Sequence, residues 1–286
     1  MANRISVKIT KVAHLRGHKD AIYNFVIDKA ERKVYTVGAD GYLVCWDLNG
    51  DLNGKLLLQT DEALYSIWKG EDIIKVGSRS GNIYSLDLIE NKLIEKKQVH
   101  QGGVFFIEGE LSGGEDGYLI DNGERISLST ESLRCILNCS SSTYIGSSNA
   151  SIFELDENGN LAKELKGHTN SVFALECLDE TTIVSGGRDA YIRAWDLTIN
   201  KEVFAVPAHT YQIKSLSFNG QFLLSSSMDK TIKIWNPELN LLKVIDFQRN
   251  ESHTNCINKV EWVDENMFVS CSDDRTLILW QMEINS

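Results

Sequence analysis

Between Gly167 and Leu197 the chain holds three short runs in which apolar and polar positions alternate, broken at Asp179-Glu180 and at Arg188-Asp189-Ala190. Alternation at period two marks a half-buried strand, and the breaks carry turn chemistry, so the stretch predicts three strands and two turns. A Gly167-His168 pair opens it and a Trp195-Asp196 pair closes it. The same pattern returns along the chain. With the Trp-Asp corner as a ruler, the marks fall at Trp46, Leu86, Asn122, Leu155, Trp195, Trp235 and Trp280. Their separations are 40, 36, 33, 40, 40 and 45 residues.

That period is the one expected of four-stranded propeller blades. Four of the units also share a fixed set of polar residues. These are His18, Thr36, Asp40 and Trp46; His168, Ser185, Asp189 and Trp195; His209, Ser225, Asp229 and Trp235; and His253, Ser270, Asp274 and Trp280. In every set the hydroxyl residue precedes the Asp by four positions and the Asp precedes the Trp by six. A buried Asp requires donors, and a His ring, a hydroxyl and an indole N–H can close a chain around it. From about His14 to Met282 the sequence resembles the WD-repeat (WD40) β-propeller family, whose strong repeats carry this tetrad. The resemblance implies an all-β fold, a single seven-bladed propeller of four-stranded antiparallel blades.

Three units depart from the pattern. The third keeps His100, Ser112 and Asp116 but has Asn122 at the Trp position, with few residues between its first two strands after Ile107. The second (Thr60, Val76, Ser80, Leu86) and the fourth (Ser129, Ile145, Asn149, Leu155) are expected to have lost the network while keeping the apolar frame, because a half-satisfied buried network is costly. Seven repeats are expected, at about 13–48, 53–88, 91–123, 124–157, 158–197, 201–237 and 240–282, in one domain covering 1–286. After Trp280 too few residues remain for a fourth strand. The alternating run from Ile5 to Val12 is therefore expected to close the ring in the last blade and remove an exposed edge. Asp121-Asn122-Gly123 predicts a two-residue hairpin turn.

Composition changes this picture little. The formal net charge of −11 argues against nucleic acid and anionic membranes as partners. No run is long enough for a transmembrane helix and the start does not read as a signal peptide, which predicts a cytoplasmic protein. There are six cysteines and no CxxC motif. Cys135 and Cys139 would lie ~13 Å apart on one strand, too far to share an ion, so reduced, mostly buried thiols and no metal are expected.

Catalysis finds little material. Five of the six histidines occupy a repeat slot, leaving only His14. The carboxylates Asp40, Asp116, Asp189, Asp229 and Asp274 sit in repeat turns, while Asp47, Asp87, Asp156 and Asp196 are expected to cap turns or face solvent. No phosphate-binding glycine loop or nucleophile elbow is present. No cofactor and no enzymatic activity are therefore expected.

What remains is the surface. In the family, partners often dock where the innermost strands begin, at positions three and five after the histidine slot and one before the turn Asp. The resemblance places Tyr23, Tyr65, Phe105, Arg134, Phe173, Lys214 and Asn258 at the second of these, and Arg79 and Arg188 at the third. The first holds mostly small residues, such as Ala21, Gly103 and Ser171. Aromatic and Arg side chains are the usual anchors of protein interfaces. In the bland alternative, the aromatics pack into the channel mouth and the Arg residues pair with nearby Glu and Asp. The leading expectation is a non-catalytic, monomeric scaffold that offers Tyr23, Tyr65, Arg79, Phe105, Arg134, Phe173, Arg188 and Lys214 to an acidic and apolar segment of a partner protein. The alternatives are a small-ligand or enzymatic site in the central channel, and a structural subunit contacting an assembly through its blade sides. The link Phe247–Ser252 is expected to overhang the same face.

Overall fold

The computed structural model describes residues 6–50 and 52–285 and consists of seven four-stranded antiparallel sheets. We call the strands of each sheet inner, second, third and outer, counting from the axis. Blade 1 comprises Ile22–Asp28, Lys33–Gly38, Tyr42–Asp47 and Gly54–Gln59. The inner strands of blades 2 to 7 are Leu64–Lys69, Val104–Glu108, Leu133–Cys139, Val172–Asp179, Ile213–Phe218 and Ile257–Trp262. Six of the sheets are meanders closed by short turns, and the architecture is an all-β seven-bladed propeller.

Blade 7 takes its outer strand from the other end of the chain. Ser6–Arg16 pairs antiparallel with Thr276–Asn285, with Arg16 opposite Thr276 and Val7 opposite Ile284. Ile5, where the alternation predicts this strand to begin, lies outside the described residues. The strand does not stop at Val12. The ladder slips between Lys11 and Ala13, which leaves Val12 exposed, and resumes to Arg16, so His14 stands opposite Ile278. The sequence repeat is thus one strand out of phase with the blade. Residues 53–88, for example, supply the outer strand of blade 1 and then three strands of blade 2. Neighbouring blades interlock.

The core lies between blades. One cluster joins Leu15, Phe25, Val34 and Trp46 to Val269, Leu277 and Leu279 of blade 7. Another joins Ile234 and Ile245 of blade 6 to Val260, Phe268 and Trp280. Fully burying such a side chain contributes roughly 1.5–3 kcal/mol, and here that gain requires the adjacent blade.

In blade 1, His18 Nδ1 lies 3.0 Å from Asp40 Oδ2, His18 Nε2 lies 2.8 Å from Thr36 Oγ1, and Trp46 Nε1 donates to the same hydroxyl at 2.9 Å. His168, His209 and His253 make the equivalent contacts to Ser185, Ser225 and Ser270 at 2.7, 2.7 and 2.8 Å. Trp195, Trp235 and Trp280 donate to those serines at 2.7, 2.9 and 2.9 Å. Each set ties the loop arriving from the previous blade to the second and third strands. Glycine precedes His18 for lack of room: a Cβ on Gly17 would come within 2.9 Å of the Trp46 ring. Blade 3 keeps the His100–Asp116 and His100–Ser112 contacts, both at 2.9 Å, and Asn122-Gly123 forms its hairpin turn with φ of 47° and 87°.

Two further expectations need correction. Blade 2 has not lost its network. Glu62, two residues past the histidine slot, accepts from Tyr84 Oη at 2.8 Å, from Asn82 Nδ2 at 3.0 Å and from both the amide and hydroxyl of Ser80. Burial would raise its carboxyl, but these donors bring it down to about 2. Blade 4 keeps a smaller set, with Ser147 donating to Ser129 Oγ at 3.3 Å and Ser151 to Glu164 at 2.5 Å. A blade that loses His and Trp still has buried backbone and hydroxyl groups to satisfy, and a carboxylate from a neighbouring position does so.

Second, the thiols are not all reduced. Cys139 and Cys177, at the far ends of the inner strands of blades 4 and 5, form a disulfide with a Cα–Cα distance of 6.0 Å. Adjacent inner strands run side by side, which brings equivalent levels of neighbouring blades together. The link Phe247–Ser252 lies beside the blade 6 turn Asp229 and the blade 7 histidine slot, on the expected face; within it Phe247–Asn250 forms a single helical turn capped by Asp246, whose carboxylate accepts from Arg249 N at 2.8 Å. Lys11 of the closing strand holds Glu251 at 2.9 Å, and the segment lines a groove between blades 6 and 7 rather than the channel.

Candidate functional site

In all seven blades the ladder between inner and second strands slips by one residue near the start of the inner strand. The skipped residues are Tyr23, Tyr65, Phe105, Arg134, Phe173, Lys214 and Asn258. A β-bulge leaves its extra residue unpaired and re-aims the side chain. Repeated seven times, it points one side chain per blade into the mouth of a central channel of about 1210 Å³, which all seven line.

Six of the seven form one continuous arc. The rings of Tyr23 and Tyr65 meet edge to face at 5.4 Å, and Tyr65 stacks on Phe105 at 5.9 Å. The Arg134 guanidinium lies 4.2 Å from the Phe105 ring centre and 5.6 Å from that of Phe173, and Lys214 Nζ lies 5.3 Å from Phe173 on its other side. Small neighbours make this packing possible: a Cβ on Gly103 would reach 3.0 Å from Tyr65 and 3.3 Å from Phe105. The seventh position is different. Asn258 is buried and donates to Ile22 O at 2.9 Å and Asp273 Oδ1 at 2.7 Å, holding blade 7 to blade 1.

Arg79 lines the channel from blade 2, while Arg188 is exposed and outside its lining. The aromatics do pack in the mouth, each half-buried. The cations are not neutralised there: among the described residues, Arg79, Arg134, Arg188 and Lys214 make no ion pair. Arg134 is half-buried and has one hydrogen bond, from Nε to Ser148 Oγ at 2.7 Å. Burial pushes it below the usual guanidinium range, Glu115 opposes this, and Arg188 adds to it. The Glu115 carboxylate is itself engaged by Gly103 N at 3.1 Å. Burial, then the neighbouring Tyr65, raise the Tyr23 hydroxyl.

Deeper in the channel stand acids that the repeat frame did not single out. Glu108, Glu176 and Glu261 lie three positions beyond Phe105, Phe173 and Asn258 on the same inner strands, so a reading of that second level would have found them. Burial raises Glu108. It pushes Glu176 up to about 7, against the amides of Cys177 and Phe218, which donate at 3.0 and 3.2 Å. Glu261 pairs with Lys259 at 3.0 Å. Asp47, Asp87, Asp156 and Asp196 accept backbone amides in their own turns.

A closed ring of seven four-stranded sheets with His–Ser/Thr–Trp contacts in four of them defines a WD-type β-propeller. The family model for the WD domain, G-beta repeat, matches residues 9–47, 159–196, 200–236 and 246–281, slightly more than half of the sequence, and the chain belongs to that family. It is similar to the ribosome biogenesis protein WDR12 homolog of Nematostella vectensis, 31% identical over 146 residues, or 43% of this chain and 35% of that protein. Lissencephaly-1 homolog 1 of Paramecium tetraurelia is 34% identical over 101 residues, 34% of this chain and 24% of that protein. Guanine nucleotide-binding protein subunit beta-1 of Caenorhabditis briggsae is 27% identical over 124 residues, 42% and 36% of the two chains. The match thus spans about a quarter to a third of the length of these relatives. In structure, the chain resembles the WD40 β-propeller domain of Doa1 with a TM-score of 0.83, at 20% identity, over 96% of this chain and 97% of that one. Among the described residues no helix is long and apolar enough to cross a membrane.

Proposed function

We propose that this chain is a non-catalytic protein-interaction scaffold whose channel mouth receives an acidic and apolar segment of a partner protein. The observation that supports this most is the arc running from Tyr23 to Lys214: seven bulges aim seven side chains at one opening, and six of them make a single aromatic and cationic surface. In an acidic protein, cations without counter-ions at one mouth favour an anionic partner and steer its approach. The names of the relatives, a ribosome biogenesis protein and a G-protein subunit, are consistent with work inside complexes.

The test is affinity capture with the intact chain and with a Tyr23→Ala, Phe105→Ala, Phe173→Ala variant of unchanged circular dichroism. The variant loses the captured partner if the reading holds. Undiminished recovery overturns it, and loss instead on charging Leu93 and Ile94, exposed on the outer strand of blade 2, moves the interface to the blade side.

Glu176 favours a second reading. A channel carboxyl raised to about 7 is suited to proton exchange near neutrality, as in a small-ligand or enzymatic channel. Turnover in a broad hydrolase screen that is lost in Glu176→Gln would establish it.

A further inference from the structure

The arc is not uniform. Over blades 1 to 3 it offers Tyr23, Tyr65 and Phe105, which present apolar faces and hydroxyls. Over blades 4 to 6 it offers Arg134 and Lys214 on either side of Phe173, with Arg188 exposed beside them. Arg134 is the unusual member. Its guanidinium is half-buried near two rings and uses one N–H on a neutral hydroxyl, and Glu115, the acid that acts on it, accepts from Gly103 N. The two rings pack near it without satisfying its other donors, and a partly desolvated charge with donors left over is costly until an anion arrives.

Resting on the channel-mouth reading, we propose that Arg134, flanked by Arg188 and Lys214, is a pocket for one acidic side chain, an aspartate or glutamate of the docking segment, while Tyr23, Tyr65 and Phe105 take an apolar residue of the same segment. A guanidinium with Nε engaged still offers a pair of parallel N–H groups, which match the two oxygens of a carboxylate. Apart from Arg79 at blade 2, the rings and the cations stand in different halves of the mouth, which gives the bound segment a direction. A partner with the two residue types reversed meets cations with its apolar group and rings with its carboxylate. The pocket therefore sets specificity as well as affinity.

The experiment uses the full chain, immobilised, and a positional library of synthetic hexapeptides in which one position is fixed in turn as Glu, Gln, Lys, Leu or phosphoserine and the rest are mixed. The expected result is retention of Glu over Gln at one position by about tenfold, with Leu selected at a neighbouring position. Raising the salt concentration should reduce the Glu selection more than the Leu selection. Arg134→Met, which keeps the packed stem and removes the charge, should abolish the Glu preference and leave the Leu preference. Arg188→Gln, at an exposed side chain, should reduce the Glu preference in a fold that cannot be in question.

Leu selection without Glu selection overturns the pocket and leaves the channel-mouth reading standing. Glu selection that survives both Arg134→Met and the Arg188→Gln, Lys214→Gln pair also overturns it, as does selection of phosphoserine with none of Glu. Absence of any selection, apolar or acidic, sinks both.

Discussion

Replacing Ser225 with alanine tests the hydrogen-bond chain of blade 6 atom by atom. Asp229 is ionised, since burial that would raise it is outweighed by His209, Thr231 and the Thr210 amide. His209 Nδ1, 2.9 Å from that carboxylate, must therefore carry the proton. Burial lowers the His209 pKa despite Asp229, so at pH 7 the ring is neutral and Nε2 is an acceptor. The Ser225 hydroxyl donates to Nε2 at 2.7 Å and its oxygen accepts from Trp235 Nε1 at 2.9 Å. One hydroxyl thus serves a buried donor and a buried acceptor. Removing it strands both, at roughly 1–3 kcal/mol each, for an expected loss of about 2–6 kcal/mol. Equilibrium urea denaturation followed by tryptophan fluorescence and circular dichroism measures it. Trp235→Phe removes one of the stranded groups, so the double variant should fall short of the sum of the singles by about 1–2 kcal/mol. A loss below about 0.5 kcal/mol, or strict additivity, would refute the assigned direction of the chain.

The other predictions concern pH and covalent ties. Burial tends to raise Asp189, but His168 and two backbone amides win and hold it at about 2, below the unfolded value of about 3.9. Its contribution is present above pH 4 and is lost as pH falls towards 2, so a melting-temperature profile should drop in that window and drop less steeply in Asp189→Asn. Glu176 has the opposite sign: raised by burial to about 7, it favours the fold while protonated, and that contribution is lost as pH rises from about 4.5 to 7. Glu176→Gln should flatten the slope there and be the more stable protein at pH 8, by up to about 3 kcal/mol; an unchanged slope shows that Glu176 titrates normally. The Cys139–Cys177 bond spans 38 residues of sequence, for which loop-closure entropy gives a stabilisation of about 4 kcal/mol. Reducing agent should lower the melting temperature of the native chain and leave that of Cys177→Ser unchanged.

The blade count was legible because a Trp or an apolar replacement recurs in one frame in six of the seven units, with Asn122 in the third, and a buried indole at 0–3% exposure leaves little freedom for that frame to drift. The mouth residues were legible for a related reason: a bulge at a fixed distance from the histidine slot is a property of local register, so even the degenerate units placed Tyr65 and Arg134 in the arc. What escaped depends on contacts between units. Glu62 does the work of a tetrad from a position the tetrad never uses, and no spacing rule points to it. Cys139 and Cys177 meet only because inner strands of successive blades stand at the same height. The end of the closing strand escaped because a bulge at Val12 breaks the alternation while the ladder continues to Arg16.

That closing strand has a consequence for how the molecule is made. Arg16 pairs with Thr276, 260 residues later, so a chain growing at about 5–20 residues per second holds the Ser6–Arg16 strand without its partner for about 15–50 s. During that interval Val7, buried in the finished ring among residues of blades 6 and 7, lacks its packing partners, and blade 7 cannot form at all. Six blades can assemble in order behind the ribosome. The last step is of another kind, a contact between strands synthesised some 260 residues apart, and a cell that shields the early strand would decide how many rings close on themselves rather than on a neighbour.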